Sequence, residues 1–219
     1  MTDDEINELG RVFTGLGQGT PEWDRIRIGK ATASRIGDVC ARTKTGWGAG
    51  RGNYMAELVC ERLTKQRAPE GYKSAAMERG NQVEVDARIS YAFHTDNEVQ
   101  LVDFVNHPTI AMTGASPDGW IGTDGILELK CPMTKTHMET IQTRTVPGHY
   151  HKQALWNLAC SGRAWVDYVS YDPRLPANLR LCVIRIERDD NEVGELEKIV
   201  AAFLGELDDL EAAMRVYGA

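Results

Sequence analysis

From residue 98 onward the apolar residues stop recurring every three or four positions and begin to alternate, and this change of period narrows the possible folds most. The segments EVQLVDFV (98–105), TIAMT (109–113) and ILELKC (126–131) are short and β-rich. They are separated by the turn signals His107-Pro108, Ser116-Pro117-Asp118-Gly119 and Thr123-Asp124-Gly125, so they read as strands. Helical signals precede them. Thr20-Pro21-Glu22 offers an N-cap with proline at the first helical position, opening a helix through Ile28 that Gly29 ends. Thr32-Ala33-Ser34 offers a second N-cap ahead of RIGDVCAR, and the glycine-rich KTGWGAGRGN (44–53) reads as a mobile loop. Residues 53–67 form an amphipathic pattern with Tyr54, Leu58 and Val59 on its apolar side. A longer helix over 75–93 carries the stripe Met77, Gly80, Ala87 and Tyr91, and Glu84 falls on that same stripe. After the three strands come a helix over 149–160, the strands RAWVDYVSYD (163–172) and RLCVIRIE (180–187), and an acidic helix over about 191–216. This order predicts an α/β (α+β) domain with a central mixed β-sheet flanked by helices. With no repeat, low-complexity tract or linker, residues 1–219 are expected to form a single domain, its core at about 20–190.

Charge is distributed unevenly along this order. Lys and Arg number 25 against 32 Asp and Glu, for a net −7, which argues against a protein simply coated in basic residues. Yet residues 1–8 carry four acids and no base, and 187–211 carry ten acids against two bases. Residues 25–79, by contrast, hold twelve bases against five acids. A basic lobe between acidic ends can still meet a polyanion, because the local field counts for more than the net charge. The longest apolar runs are too short for a membrane-spanning helix. The acidic, polar opening MTDDEINE gives no sign of a secretory leader. The five cysteines are far apart with no CxxC pair, so reduced thiols in the cytoplasm are expected.

One constellation carries chemistry. Asp118 lies in Ser116-Pro117-Asp118-Gly119-Trp120, and Glu128-Leu129-Lys130 follows. Alternation puts Glu128 and Lys130 on one face of a strand. A turn at Thr123-Asp124-Gly125 folds that strand back beside Asp118. Taken singly these are an ordinary turn and an ordinary charged strand. Together they set two repelling carboxylates near a lysine, an arrangement that calls for a compensating cation. Mg²⁺ suits such oxygen ligands, and a lysine beside it can orient water and offset transition-state charge on phosphorus. Glu84 on an apolar stripe needs a partner as well. Arg88 on the same helix is the simple one, a metal the more interesting one. Gln153 on the next helix could reach the same place, or be a plain exposed helix residue.

These residues resemble the PD-(D/E)xK nuclease signature, here with Pro117 before Asp118, and its restriction-endonuclease-like core. Glu84 in GNQVEVDAR and Gln153 in HKQALW stand where the RecB-like branch keeps a helical acid and a glutamine. The chain is most similar to the phage lambda exonuclease-like alkaline exonucleases of the YqaJ group. The similarity runs through EWDRIRIGKATAS (22–34), RGNQVEVDAR (79–88), TGASPDGWIGTDGILELKCP (113–132) and AWVDYVSYDPR (164–174), and it is weak over 36–75 and beyond about 194. The resemblance implies Mg²⁺, with Mn²⁺ as a substitute, held by Asp118, Glu128, the Leu129 carbonyl and Glu84. It also implies that Lys130 positions the attacking water and that Gln153 lies beside the reacting strand. Some members of the branch hold an iron–sulfur cluster on closely spaced cysteines, a spacing this chain lacks. The hydroxyls of Thr32 and Ser34 near a helix start, with Arg27, suit an anion. The same groups suit a helix cap and a surface ion pair equally well. On the family pattern they resemble a pocket for a terminal 5′-phosphate, with Arg27 as principal contact and Thr32, Ser34 and Ser116 as helpers.

The implied activity is 5′→3′ digestion of double-stranded DNA from its ends, releasing mononucleotides and leaving a 3′ single strand for recombination. The resemblance further implies a homotrimeric ring, a single-strand annealing protein as partner, and a phage or prophage gene acting in the cytoplasm of a bacterial host. The alternatives are a structure-specific or restriction-like endonuclease of the same superfamily, or a non-catalytic DNA-binding relative. His149 and His151, two apart on a helix, point away from each other and are not read as a metal pair. The five tryptophans are expected mostly in the core, with Trp47 in the glycine-rich segment placed to stack on DNA.

Overall fold

The computed structural model describes residues 10–68 and 75–217, and the expectations for residues 1–8 and for the side chains of Met77 and Gly80 lie outside what it describes. The chain opens with β1 (Val12–Phe13) and α1 (Pro21–Arg27), then β2 (Ala31–Thr32) and a 3₁₀ turn (Ala33–Arg35). There follow α2 (Ile36–Val39), β3 (Arg42–Thr43), β4 (Gly46–Trp47), α3 (Ala49–Thr64) and α4 (Ala75–Thr95). The strands β5 (Val99–Gln100), β6 (Phe104–Asn106), β7 (Thr113–Ala115), β8 (Gly119–Ile121) and β9 (Gly125–Lys130) come next. The chain ends with α5 (Thr134–Thr143), α6 (Gly148–Ser161), β10 (Trp165–Tyr171), a 3₁₀ turn (Ala177–Leu179), β11 (Leu181–Glu187) and α7 (Asp190–Val216).

The strands divide between sheets. A five-stranded mixed sheet runs β11-β10-β9-β8-β5, in which only β9 and β10 are parallel. A smaller sheet runs β1-β6-β7-β2, and β3 pairs with β4 as a hairpin. Parallel neighbours need a crossover, and α5 and α6 supply it. Five of the six residues of β9 are buried, as befits a central strand covered on both faces. Ala87 and Tyr91 of α4 pack with Leu127 and Leu129 on one side. Ala154, Leu155 and Trp156 of α6 join Ile126 and Tyr168 in the main core on the other. Alternation along β9 therefore sends Glu128 and Lys130 toward α6.

Several local expectations are corrected. Thr20 caps α1 as expected, accepting from Trp23 N–H at 3.3 Å. Thr32 stands at the next N-cap position, but its hydroxyl makes no capping bond, because its backbone is engaged in β2 beside β7. The glycine-rich 44–53 is the second half of the β3–β4 hairpin followed directly by α3. Its Trp47 ring lies under the guanidinium carbons of Arg42 and Arg51, at 3.3 and 3.9 Å. The segment 98–105 splits between the two sheets, and TIAMT becomes strand only at Thr113. Helix α5 is an element the sequence pattern does not announce. No helix among the described residues is long and apolar enough to cross a membrane.

Candidate active site

The β8–β9 hairpin builds the centre. Gly119 faces Leu127 in register, and a Cβ at Gly119 would meet Val99 Cγ1 at 2.4 Å, so only glycine lets the strands close there. Just before it, Asp118 donates its N–H to the Leu127 carbonyl at 3.1 Å and accepts from Leu129 N–H at 2.6 Å through Oδ2. Glu128, 1% exposed, takes hydrogen bonds on both oxygens. Its Oε1 accepts from Lys130 Nζ and from Gln153 Nε2 (2.6 Å), and its Oε2 accepts from Asn157 Nδ2 at 2.7 Å. Glu84 reaches the site from α4, on the opposite side of the sheet from α6, with Arg88 Nη2 at 2.6 Å from its Oε1.

Burial and mutual repulsion make these carboxylates hard to ionise. Burial, then the nearby Asp118, pushes Glu128 up to about 7 against the pull of Lys130. Burial raises Asp118, and burial followed by Asp118 raises Glu84. Lys130 is displaced the other way: burial works against its charge, but Glu128 and Asp118 outweigh it and hold the ammonium above its usual range. A lysine that keeps its proton beside acids that resist losing theirs is an electrostatic site short of positive charge.

Among the described residues no three His, Cys, Asp or Glu side chains cluster closely enough to cage a metal alone. Lys130 and Arg88 sit where an ion would neutralise Glu128 and Glu84. The donor set is nonetheless all hard oxygen, with Asp118 close enough to Glu128 to raise it by repulsion, so the chemistry of these residues suits Mg²⁺. A cleft of about 540 Å³ opens beside them, lined by Gln18, Trp23, Glu84, Arg88, Asp103 and Asp118.

The expected phosphate residues fall in two groups, Arg27 with Ser116 across Trp23, and Thr32 with Ser34. Arg27 is 7% exposed, its Nε has no hydrogen-bond partner, and among the described residues it has no ion pair. Its guanidinium carbon lies 3.7 Å from the centroid of Trp23, whose indole N–H donates to Ser116 Oγ at 3.2 Å and to the Asp103 carbonyl at 2.9 Å. Thr32 Oγ1 and Ser34 Oγ are 3.5 Å apart. Burial, with Arg67 nearby, lowers Arg27 to about 10. A buried cation with an unspent donor is poised for an anion. His149 and His151 do not converge as a metal pair: the His149 ring is tilted against Tyr150, with centroids 3.8 Å apart, and His151 is 4.0 Å from Glu192.

A family model described as the YqaJ-like viral recombinase domain matches residues 22–164, well over half of the chain. The chain belongs to this family. It is also 47% identical to an alkaline exonuclease (LHK-Exo) from Laribacter hongkongensis, over 90% of this chain and 96% of that one, with a TM-score of 0.83. The same protein solved in complex with dAMP matches equally well. A phage-related exonuclease from Haemophilus somnus 129PT shares the fold at 15% identity and a TM-score of 0.66, over 84% of this chain and 96% of that one. Among curated proteins nothing matches. The matched span contains Glu84, Asp118, Glu128, Lys130, Gln153 and Arg27, and the resemblance to the lambda exonuclease-like group is upheld. It also contains Asn157, which sequence reasoning missed. The available signal was its position, one helical turn after Gln153 on the same face.

Proposed function

We propose that this nuclease of phage-type recombination is a Mg²⁺-dependent exonuclease that digests double-stranded DNA 5′→3′ from its ends. The observation that carries the reading is the pairing of two different sites. One is an acid–lysine centre short of positive charge; the other is a buried Arg27 with a free donor, set beside the same cleft through Trp23 and Ser116.

Asp118, Glu128 and Glu84 would hold the ion together with the Leu129 carbonyl, and a bound Mg²⁺ supplies Lewis-acid polarisation of the scissile phosphate. Lys130, released from Glu128, orients the attacking water and offsets the charge that builds on the phosphoryl oxygens. Gln153 keeps the Glu128 carboxylate aimed while Lys130 turns. Arg27, with Thr32, Ser34 and Ser116, grips a terminal 5′-phosphate, which sets the enzyme on an end and gives it polarity. The 47% identity to an alkaline exonuclease supports end-dependent hydrolysis over the endonuclease alternative. Intact Asp118, Glu128 and Lys130 argue against a non-catalytic relative. A homotrimeric ring, a single-strand annealing partner and a phage-encoded role in the host cytoplasm belong to the same proposal.

A time course on end-labelled linear duplex, with Mg²⁺ and with chelator, tests it. Mononucleotides should appear from the 5′ end only when metal is present. Cutting of a covalently closed circle, or metal-independent release, would overturn the assignment.

A further inference from the structure

The turn that joins α1 to β2 holds Arg27 before it and Thr32 after it, and one face of α3 grips this turn. Glu61 Oε2 accepts Gly29 N–H at 2.8 Å, while the adjacent Arg62 Nε donates to the Gly29 carbonyl at 2.9 Å. Tyr54, on the same face of α3, accepts Thr32 N–H at 3.0 Å and donates to the Lys30 carbonyl at 3.4 Å. Gly29 has φ +67°, and a Cβ there would lie 2.4 Å from Arg62 Cγ, so the turn and the arginine are fitted to each other.

Arg62 does not stand alone. Its side chain is 7% exposed, and Nη1 reaches Asp208 at 2.5 Å and Glu211 at 3.3 Å, both on the acidic helix α7. Arg51 makes a parallel tie to Glu206 at 2.8 Å, and Tyr54 stacks on Phe203 at 5.9 Å. Three acids of α7, Glu206, Asp208 and Glu211, therefore hold the helix that templates the Arg27 turn.

We infer that Asp208 and Glu211 are positioning residues for the 5′-phosphate pocket, acting through Arg62 and the Gly29 peptide. A guanidinium this buried does not stay in place once its counterions are removed. As Arg62 leaves, the Gly29 carbonyl loses its donor and the left-handed turn relaxes. Arg27, with no hydrogen bond at Nε, then loses the frame that aims it. This inference rests on the proposed role of Arg27.

The test compares hydrolysis of 5′-phosphorylated and 5′-hydroxyl duplex ends by the full chain. In the double variant Asp208→Asn with Glu211→Gln, the preference for phosphorylated ends should fall roughly tenfold. The loss should appear in KM for phosphorylated ends, with kcat retained and the rate on hydroxyl ends little changed. Arg62→Lys keeps the charge but cannot present Nε to Gly29, so it too should lose the preference. A double variant with normal preference overturns the inference, and so does an equal loss on both kinds of end. If Arg62→Lys does not fold, the double variant, altered on the outer helix, still decides. Arg27→Ala separates the two levels: unchanged preference there refutes the 5′-phosphate reading itself, not the link to α7.

Discussion

At the scale of single residues, the site depends on an amide that no motif names. Asn157 is buried, and its Nδ2 holds Glu128 Oε2 at 2.7 Å while its Oδ1 has no hydrogen-bond partner. Groups that orient metal ligands are typically worth about 10–100-fold in metal affinity. Asn157→Ala should therefore raise the Mg²⁺ concentration for half-maximal hydrolysis by roughly that factor. Mn²⁺ binding followed by titration should weaken in parallel, and duplex binding without metal should persist. Lys130→Ala should abolish hydrolysis and spare metal-free duplex retention, checked by gel shift beside the nuclease assay. Asp118, Glu128 and Lys130 were legible because a turn and a two-residue alternation fix their relation within one hairpin. Asn157 was not, because its meaning comes from a contact with a strand 29 positions earlier in the chain.

At the scale of elements, caps and periodicity located α1, α3, α6 and α7, and the structure shows why other segments escaped. TKTHMETIQT forms α5 without an apolar stripe; it buries His137 and Thr140. His137 bonds Ser170 Oγ at 2.7 Å and the Leu179 carbonyl at 2.8 Å, so polar contacts do what apolar ones would signal in sequence. Glycine content suggested a loop over 44–53, whereas Arg42 and Arg51 against Trp47 give that stretch a folded partner set. The Gly29 turn is the element most sensitive to a single change. Gly29→Ala must adopt φ +67° and displace Arg62, for a loss of about 2 kcal/mol or more measured by urea unfolding. An unaltered midpoint would show that the turn is looser than its contacts imply.

At the scale of the whole molecule, the uneven charge proves to be partly internal. The chain sets a basic lobe against an acidic C-terminal helix in sequence, and the structure joins them through Arg51 and Arg62. Composition could show the two charge blocks but not that they meet, since that contact depends on tertiary packing. Half-buried Lys30 has no ion pair among the described residues. Lys30 donates to Asn106 Oδ1 at 2.8 Å, and burial lowers it from 10.5 to about 8. Between those two values the unfolded chain holds a proton that the folded chain has released, so this group makes stability rise with pH across that window. Lys30→Met should remove the rise. Urea midpoints of both proteins near pH 8 and near pH 10.5 check it, and parallel curves would count against a depressed Lys30. The parallel pairing of β9 with β10 has a consequence in time. The hairpin bearing Asp118 and Glu128 is local and closes early, whereas Gln153 and Asn157 arrive only after the whole crossover has docked. A chain that has closed this hairpin but not docked the crossover thus carries the acids without the two amides that hydrogen-bond Glu128.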